Sequence, residues 1–293
     1  MCSDKNTILI TGASGQIGRS VSEILRNNAR QILPIDIEPE AGSGVFGCDL
    51  RSEDELARLL ENGQIRTVIH LAGVLPSAFE RNPLDGADVN LNGTLTLMRQ
   101  AAEAGVTRFV FSSSMSVYGT TPSHRPLTED DPAAPDDSYG ASKRAIELIG
   151  EALSRKCGVQ FVSLRIARVV GPGVKKSSSR WRSQIFDGSK QEAIKIPFSP
   201  EAMLSLVYVE DVAHMMITLA DARTANRSFY NTPAEIWRAE ELKKTIEELR
   251  GIPVYLERGG PLGGPMCDGS RFAQEFGFQL RGLRDRLSAL YPG

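Results

Sequence analysis

The chain has 293 residues, which at about 150 per domain is enough for one large or two joined domains. Hydrophobic residues make up 41% and charged residues 24%, the usage of an ordinary globular protein and far from disordered, collagenous or coiled-coil composition. Lys and Arg total 34 against 36 Asp and Glu, a net charge of −2, so no global basic field exists to hold nucleic acid or an anionic membrane.

The longest apolar runs, such as Val68 to Leu71 and Phe109 to Phe111, are strand-sized and far short of the roughly 18 residues of a membrane-spanning helix. Met1 to Asn6 pass into an apolar strand without the apolar core of a signal peptide. Cys2, Cys48, Cys157 and Cys267 form neither a disulfide framework nor a zinc-type spacing. The expectation is a soluble protein of the reducing cytoplasm with no structural metal.

From residue 7 to about residue 170, short β-rich runs alternate with longer helical segments, the pattern of βαβ units and a parallel sheet. Strands are predicted at Thr7 to Ile10, Gln31 to Asp36, Thr67 to Ala72, Arg108 to Ser112 and Gln160 to Arg165. Helices are predicted at Ile17 to Asn27, Ser52 to Asn62, Asn90 to Glu103 and Tyr139 to Ser154, with a capping box at Ser52-Glu53-Asp54-Glu55. After Gly171 the pattern turns irregular, with a polar basic stretch from Lys175 to Arg182. Leu206 to Val209 reads as a strand returning to the first sheet, followed by helices at Asp211 to Ala220 and Ala239 to Arg250. The expected fold class is α/β: a Rossmann-like doubly wound parallel sheet over residues 1–170, with the strand and helix at about 206–220 returning to it. Residues 171–205 and 221–293 then form a smaller C-terminal substrate-binding lobe.

The first strand runs into Thr11-Gly12-Ala13-Ser14-Gly15-Gln16-Ile17-Gly18, a G-x-x-G-x-x-G loop opening a helix. Gly12 allows the tight turn, Gly15 the close approach of backbone to a pyrophosphate, and Gly18 the packing of helix on strand. Phosphate falls on the free N–H groups where the helix begins, at Gln16 and Ile17. A purely structural strand-to-helix turn is the alternative. Context favours the dinucleotide: about twenty residues on, Asp36 ends the second strand, where a carboxylate accepts the hydroxyls of an adenosine ribose. Its neighbours Ile37-Glu38-Pro39-Glu40 repel a 2′-phosphate, which favours NAD over NADP. Asp49 and Leu50 either meet the adenine or, for Asp49, cap the helix that follows.

The fifth strand ends in Ser112-Ser113-Ser114-Met115-Ser116, placing hydroxyls at the carboxyl end of a strand, where open parallel sheets bind ligands. Tyr139 and Lys143 follow at i and i+4, on one helix face. A neighbouring cation favours phenolate and lowers a tyrosine from its usual value of about 10, which makes Tyr139 a candidate general base. A serine hydroxyl then polarises the same substrate oxygen while NAD takes hydride from the carbon bearing it. An amphipathic helix with a solvated Lys is the bland alternative. His70 ends an apolar strand and reads as a satisfied core imidazole, and Trp181 and Trp237 either line a lid or pack.

At these residues the sequence resembles the extended short-chain dehydrogenases/reductases, the NAD-dependent epimerase/dehydratase family. The resemblance covers nearly the whole chain. It rests on the glycine loop, Asp36, Asp49-Leu50, His70-Leu71-Ala72-Gly73, Asn90-Leu91-Asn92-Gly93-Thr94, Phe111 to Ser114 with Val117-Tyr118-Gly119, Tyr139-x-x-x-Lys143, Leu164-Arg165 with Val170-Gly171-Pro172, and Val207-Tyr208-Val209-Glu210-Asp211. It implies Tyr139 as acid/base, Lys143 tuning it and holding the nicotinamide ribose, and Ser114 on the reacting oxygen. It also implies that Leu71, Ala72 and Gly73 line the cofactor, that Asn90 braces them, that the Ala167 backbone meets the nicotinamide carboxamide, and that the protein is a homodimer.

Departures from the family pattern bear on substrate. Arg168 stands where sugar-nucleotide members carry an Asn, and Leu204 where they carry a phosphate-binding Arg. An apolar residue neutralises no diphosphate. Arg168 with Lys175, Lys176, Arg180 and Arg182 around Ser177 to Ser179 suits a carboxylate and hydroxyls instead, unless the stretch is a solvated loop. Leu75, Ser114, Ser116, Arg168 and Arg180 are therefore the expected substrate contacts. The expected function is hydride transfer between NAD and a carbinol of a free sugar or an anionic sugar acid. The alternatives are a sugar-nucleotide epimerase or dehydratase that uses NAD catalytically, and a non-catalytic NAD-binding regulator.

Overall fold

The computed structural model describes residues 6–62, 64–174, 179–188 and 192–291. Lys175, Lys176, Ser177 and Ser178, named above, lie outside the described residues.

The chain begins with β1 (Thr7–Thr11), α1 (Gln16–Asn27), β2 (Ile32–Asp36), β3 (Phe46–Gly47), α2 (Glu53–Asn62) and β4 (Ile65–His70). The short helices α3 (Pro76–Arg81) and α4 (Pro83–Ala87) follow, then α5 (Thr94–Glu103), β5 (Arg108–Ser114), α6 (Ser138–Cys157) and β6 (Gln160–Ile166). Next come β7 (Arg168–Val170), α7 (Trp181–Gln184), β8 (Ile194–Ile196), β9 (Met203–Tyr208), α8 (Val209–Asp221) and β10 (Phe229–Asn231). The chain closes with β11 (Glu235–Arg238), α9 (Ala239–Arg250), β12 (Val254–Leu256), α10 (Ser270–Phe276) and α11 (Leu283–Leu290).

Seven strands form one parallel sheet in the order β10-β6-β5-β4-β1-β2-β3. Helices cover both faces, which is why the strands are apolar on both sides: Leu9, Ile10, Val68, Ile69 and Val110 are all fully buried. The order reverses between β1 and β4, opening the crevice where such sheets bind ligands.

The returning strand is the one place where the topology departs from the sequence reading. The strand around residues 206–209 is β9, and it belongs to a second sheet of order β11-β9-β7. It pairs parallel to β7 and antiparallel to β11. Phe229–Asn231 instead extends the main sheet alongside β6. Only α8, the helix after β9, returns to the nucleotide sheet, packing its buried Val212, Met215, Met216 and Leu219 into that core.

One polar cluster sits inside this apolar frame. Glu147 on α6 is fully buried and accepts from Arg165 Nε at 2.9 Å and Nη2 at 2.8 Å, from Ser113 Oγ at 2.7 Å and from Arg144 Nη1 at 2.9 Å. Arg165, only 1% exposed on β6, also donates to the Tyr118 hydroxyl at 2.7 Å. Removing one member of a buried pair strands the other charge, at a cost of roughly 3–5 kcal/mol, whereas an apolar replacement of both is far cheaper. Glu147→Ala is therefore expected to lower unfolding stability by that order in chemical denaturation, and Glu147→Leu with Arg165→Met to recover most of it. A double variant no better than the single would contradict this.

Candidate active site

The crevice between β1 and β4 is a cleft of about 580 Å³. Its walls come from the glycine loop, the turn after β4, the serine-rich end of β5, the first turns of α6 and the β6–β7 junction.

Gly12 takes φ +70°, and a side chain there would drive into the backbone of Leu71 and Ala72, with a Cβ only 2.6 Å from Ala72 N. Gly18 lies against Gly12 and Ala13 with no room for a Cβ. The loop is thereby pressed onto the start of β4's turn, and α1 begins at Gln16 with Gly15 as a cap that supplies no side-chain acceptor and no acid in its first turn. The first N–H groups of α1 therefore face the cleft at the positive end of the helix dipole. Ser14 Oγ beside them is buried and has no hydrogen-bond partner among the described residues. An uncapped helix start, an orphaned hydroxyl and a side-chain-free cradle fit a dinucleotide pyrophosphate.

Asp36 stands at the end of β2, fixed by N–H donors from Ser14 at 2.9 Å and Glu38 at 3.2 Å. Arg19, on α1, is engaged by Glu40 at 3.1 Å. Asp49 does not cap the helix that follows. Its carboxylate is chelated by Arg51, whose Nε and Nη2 donate at 3.0–3.1 Å and 2.8 Å, and this holds it below the usual carboxylate range. Ser52 Oγ caps α2 through Glu55 N, while Glu55 reaches back to Asp49 N rather than to the cap residue. Leu50 is buried in the core against Gly93 and, like Asp49, is outside the residues lining the cleft.

Leu71 and Gly73 line the cleft, with Ala72 just behind them. Asn90 lies beneath: its Oδ1 accepts from Val74 N at 2.6 Å and its Nδ2 donates to Val74 O at 2.9 Å. The helix expected from Asn90 is wider there. Residues Asp88–Gly93 form a π-helical segment before α5, an arrangement that turns one side chain out of register. His70 is a satisfied core imidazole, hydrogen-bonded to Thr11 Oγ1 at 2.6 Å and Thr94 Oγ1 at 2.8 Å, and burial pushes it down to about 3.

Ser114, Tyr139 and Lys143 converge on one wall. Ser114 Oγ donates to Ser116 Oγ and accepts from Ser116 N, both at 3.1 Å. Lys143 is 5% exposed, donates to Ser112 O at 2.9 Å, and stands 4.7 Å from the Phe111 ring centre and 5.7 Å from that of Tyr139. Burial brings it down to about 8, with Glu147 one turn further along opposing the shift. The expected lowering of Tyr139 is not found. Burial dominates and pushes the phenol up to about 12; its hydrogen bond with Ser114 pulls down, Asp137 pushes up, and the ammonium lies over the ring. In the protein alone Tyr139 is a protonated acid at neutral pH.

The β6–β7 junction brings Ala167 and Arg168 to the opposite wall. The Ala167 N–H is committed to Thr232 Oγ1 at 2.9 Å, so any contact with a carboxamide runs through its carbonyl. Arg168 lies 4.6 Å over the Phe198 ring, and burial together with the charge of Arg182 brings it down to about 10. Arg182 also lines the cleft; it donates to Ser179 Oγ, while its Nε is buried without a partner among the described residues. Neither guanidinium has a carboxylate partner among the described residues. Arg180 is exposed and, unlike Ser179 and Arg182 beside it, is not among the residues that line the cleft. It precedes the single-turn helix α7, and two residues on, Arg182 is turned to the other side. Leu75 and Ser116 line the cleft as expected, Leu204 is buried in the core beneath the second sheet, and Trp181 packs edge-on against Phe198.

Sequence reasoning missed Glu147 and underweighted Arg182. Tyr139, Lys143 and Glu147 repeat at i, i+4 and i+8, the available signal for the first. It also missed the contacts of Gln16 Nε2 with Gly171 O and Pro172 O at 2.9 and 3.0 Å, which tie the glycine loop to the segment leading into the second lobe.

Comparison with known proteins agrees with this geometry. The model of the NAD dependent epimerase/dehydratase family matches residues 8–231. The chain belongs to this family, whose cofactor is NAD, and it is an enzyme of the extended short-chain dehydrogenase/reductase type. A UDP-glucose 4-epimerase of Halalkalibacterium halodurans is 31% identical over 171 residues, 56% of this chain and about half (51%) of that protein's length. The mitochondrial L-threonine 3-dehydrogenase of Bos taurus is 26% identical over 85% of this chain and 69% of its own. Among solved structures, the L-threonine dehydrogenase of Phytophthora infestans superposes with a TM-score of 0.88 at 23% identity, covering 98% of both chains. MoeE5 in complex with UDP-glucose and NAD does so at 0.83 and 27% identity, covering 98% of this chain and 97% of that one.

The placement of Asp36 predicts cofactor choice. In a fluorescence titration, NAD is expected to bind at least tenfold more tightly than NADP, and Asp36→Ser to weaken NAD by about tenfold, the loss of one or two hydrogen bonds to charge. Tighter NADP binding by the unaltered chain would overturn the role of Asp36.

Proposed function

We propose that this enzyme is an NAD-dependent dehydrogenase that oxidises a secondary carbinol on a small hydroxy acid of the sugar-acid type and releases NADH with each product. The observation that carries this is the pair Arg168 and Arg182: two guanidiniums side by side on the cleft wall, each depressed by burial and without a carboxylate partner among the described residues. An anionic substrate group supplies the missing charge, and a guanidinium matches a carboxylate with two parallel hydrogen bonds. L-threonine, the substrate named for several relatives, is itself a hydroxy acid with its carboxylate near the carbinol.

In this reading the N–H groups of α1 would hold the pyrophosphate of NAD, Asp36 its adenosine ribose, and Ala167 and Lys143 its nicotinamide end. When bound, NAD supplies the oxidant that accepts hydride from the carbinol carbon. The residues of the chain handle the proton. Ser114 Oγ holds the reacting oxygen, and Tyr139 exchanges a proton with it at the phenol oxygen. With Tyr139 pushed up to about 12, the protein alone is set to donate that proton. Accepting it requires added positive charge beside the phenol, which Lys143 and the oxidised nicotinamide provide. The Lys143 ammonium, held on Ser112 O at the cleft wall, would also donate to the nicotinamide ribose.

A sugar-nucleotide epimerase is the second reading, favoured by the relatives named for UDP-glucose. There the two arginines take a diphosphate and no NADH accumulates. The intact Ser114, Tyr139 and Lys143 argue against a non-catalytic regulator. The exposed apolar Leu148 and Ile149 on α6 support pairing of two copies through α5 and α6.

An NADH-production screen over uronates, aldonates, threonine, free aldoses and UDP-sugars decides between the two. Turnover is expected with the acids. Arg168→Leu is expected to raise KM for them about 10–100-fold with little change in kcat, the worth of one charge-assisted contact. Conversion of UDP-sugars alone, without net NADH, would establish the epimerase reading instead.

A further inference from the structure

The N-terminal edge of the parallel sheet holds a second cavity, of about 460 Å³, at the opposite end of the strands from the cleft. β5 starts there at Arg108 and reaches the cleft at Ser114; seven residues at about 3.3 Å each separate the two by roughly 20 Å. We infer that this cavity is a binding site for a small phosphate monoester, held by Arg66, Arg108 and Arg223.

Four arginines line it against one carboxylate, Asp221. In a chain whose net charge is −2, composition does not produce such a cluster. Two of its members have structural work. Arg30 chelates Asp221 at 2.9 and 2.8 Å, tying the turn between α1 and β2 to the end of α8. Arg108, 6% exposed, donates to Leu219 O at 2.9 Å and Arg223 O at 3.3 Å, closing the C-terminal end of α8, and to Gln160 Oε1. All of its hydrogen-bond acceptors are neutral, and the one carboxylate that acts on it, Asp221, is chelated by Arg30.

Arg66 and Arg223 have no such work. Both are exposed and neither has an ion-pair partner among the described residues. Arg66 adds to the burial that lowers Arg108, and only Asp221, already held by Arg30, opposes it among the described residues. Three guanidiniums with no free carboxylate match a dianion better than a monoanion, and phosphate is the dianion that guanidinium forks recognise best. The volume is that of a small-molecule pocket and larger than a bare ion needs. Thr67 and Thr107 offer hydroxyls, and Ile8 and Ala220 apolar surface, to an organic portion.

The test is calorimetric titration of the intact protein, saturated with NAD so that the cleft's phosphate site is filled, with glycerol 3-phosphate, glycerol and tricarballylate at low salt. Glycerol 3-phosphate is expected to bind saturably, glycerol not at all, and tricarballylate at least tenfold more weakly. Arg66→Ser with Arg223→Ser, both exposed and remote from the catalytic wall, is expected to weaken glycerol 3-phosphate at least tenfold while dehydrogenase kinetics are retained. Arg182→Ser is expected to leave it unchanged. A flat titration, equal binding of the tricarboxylate, an unaffected double variant, or loss in Arg182→Ser would each overturn the assignment.

Discussion

The site depends on one buried carboxylate. Glu147 gathers four donors from α6, β5 and β6, and so locks the helix that carries Tyr139 and Lys143 to the strands that carry Ser114 and Arg165. Because the pair is dry, a half-satisfied version is costly, and the register of α6 on the sheet has a single well-paired solution. Lys143, one turn from Glu147, can then remain a buried cation donating to Ser112 O, and Tyr139, a further turn on, meets the end of β5. The acid/base wall is held from behind by groups that never touch a ligand.

Charge is distributed by the same logic. The near-neutral total conceals an acid at Asp36 at the end of β2, paired arginines on the cleft wall and a second basic patch at the far edge of the sheet. The cleft is assembled across both sheets, since β6 turns directly into β7 through Ala167 and Arg168. The Gln16 contacts to Gly171 and Pro172 link the cofactor side to the segment that ends in Arg182.

Much of this was legible in the sequence because it is local. A strand, a glycine loop and a helix start within a dozen residues fix one another, and Tyr139 and Lys143 share a face by helical period alone. The rest depends on strand neighbours, on burial and on how the chain turns. β9 looks like any parallel strand, and only its neighbours place it in the second sheet. Asp49 was claimed by Arg51, two residues away but opposed in direction only once the chain turned. Arg180 and Arg182 differ by half a helical turn, invisible in a basic stretch without a clear start. The phenol of Tyr139 was misjudged because spacing reports proximity to a cation but not the burial that outweighs it.

The central claim is that Tyr139 carries the proton transferred at the cleft. Mixing the NAD-loaded enzyme with a turned-over hydroxy acid, in excess over substrate, measures single-turnover NADH formation for the unaltered chain and for Tyr139→Phe. The account predicts that the variant binds NAD within a few-fold of the original but forms NADH about 10²–10⁴ times more slowly, the usual worth of a positioned acid/base. An undiminished single-turnover rate in Tyr139→Phe would contradict it.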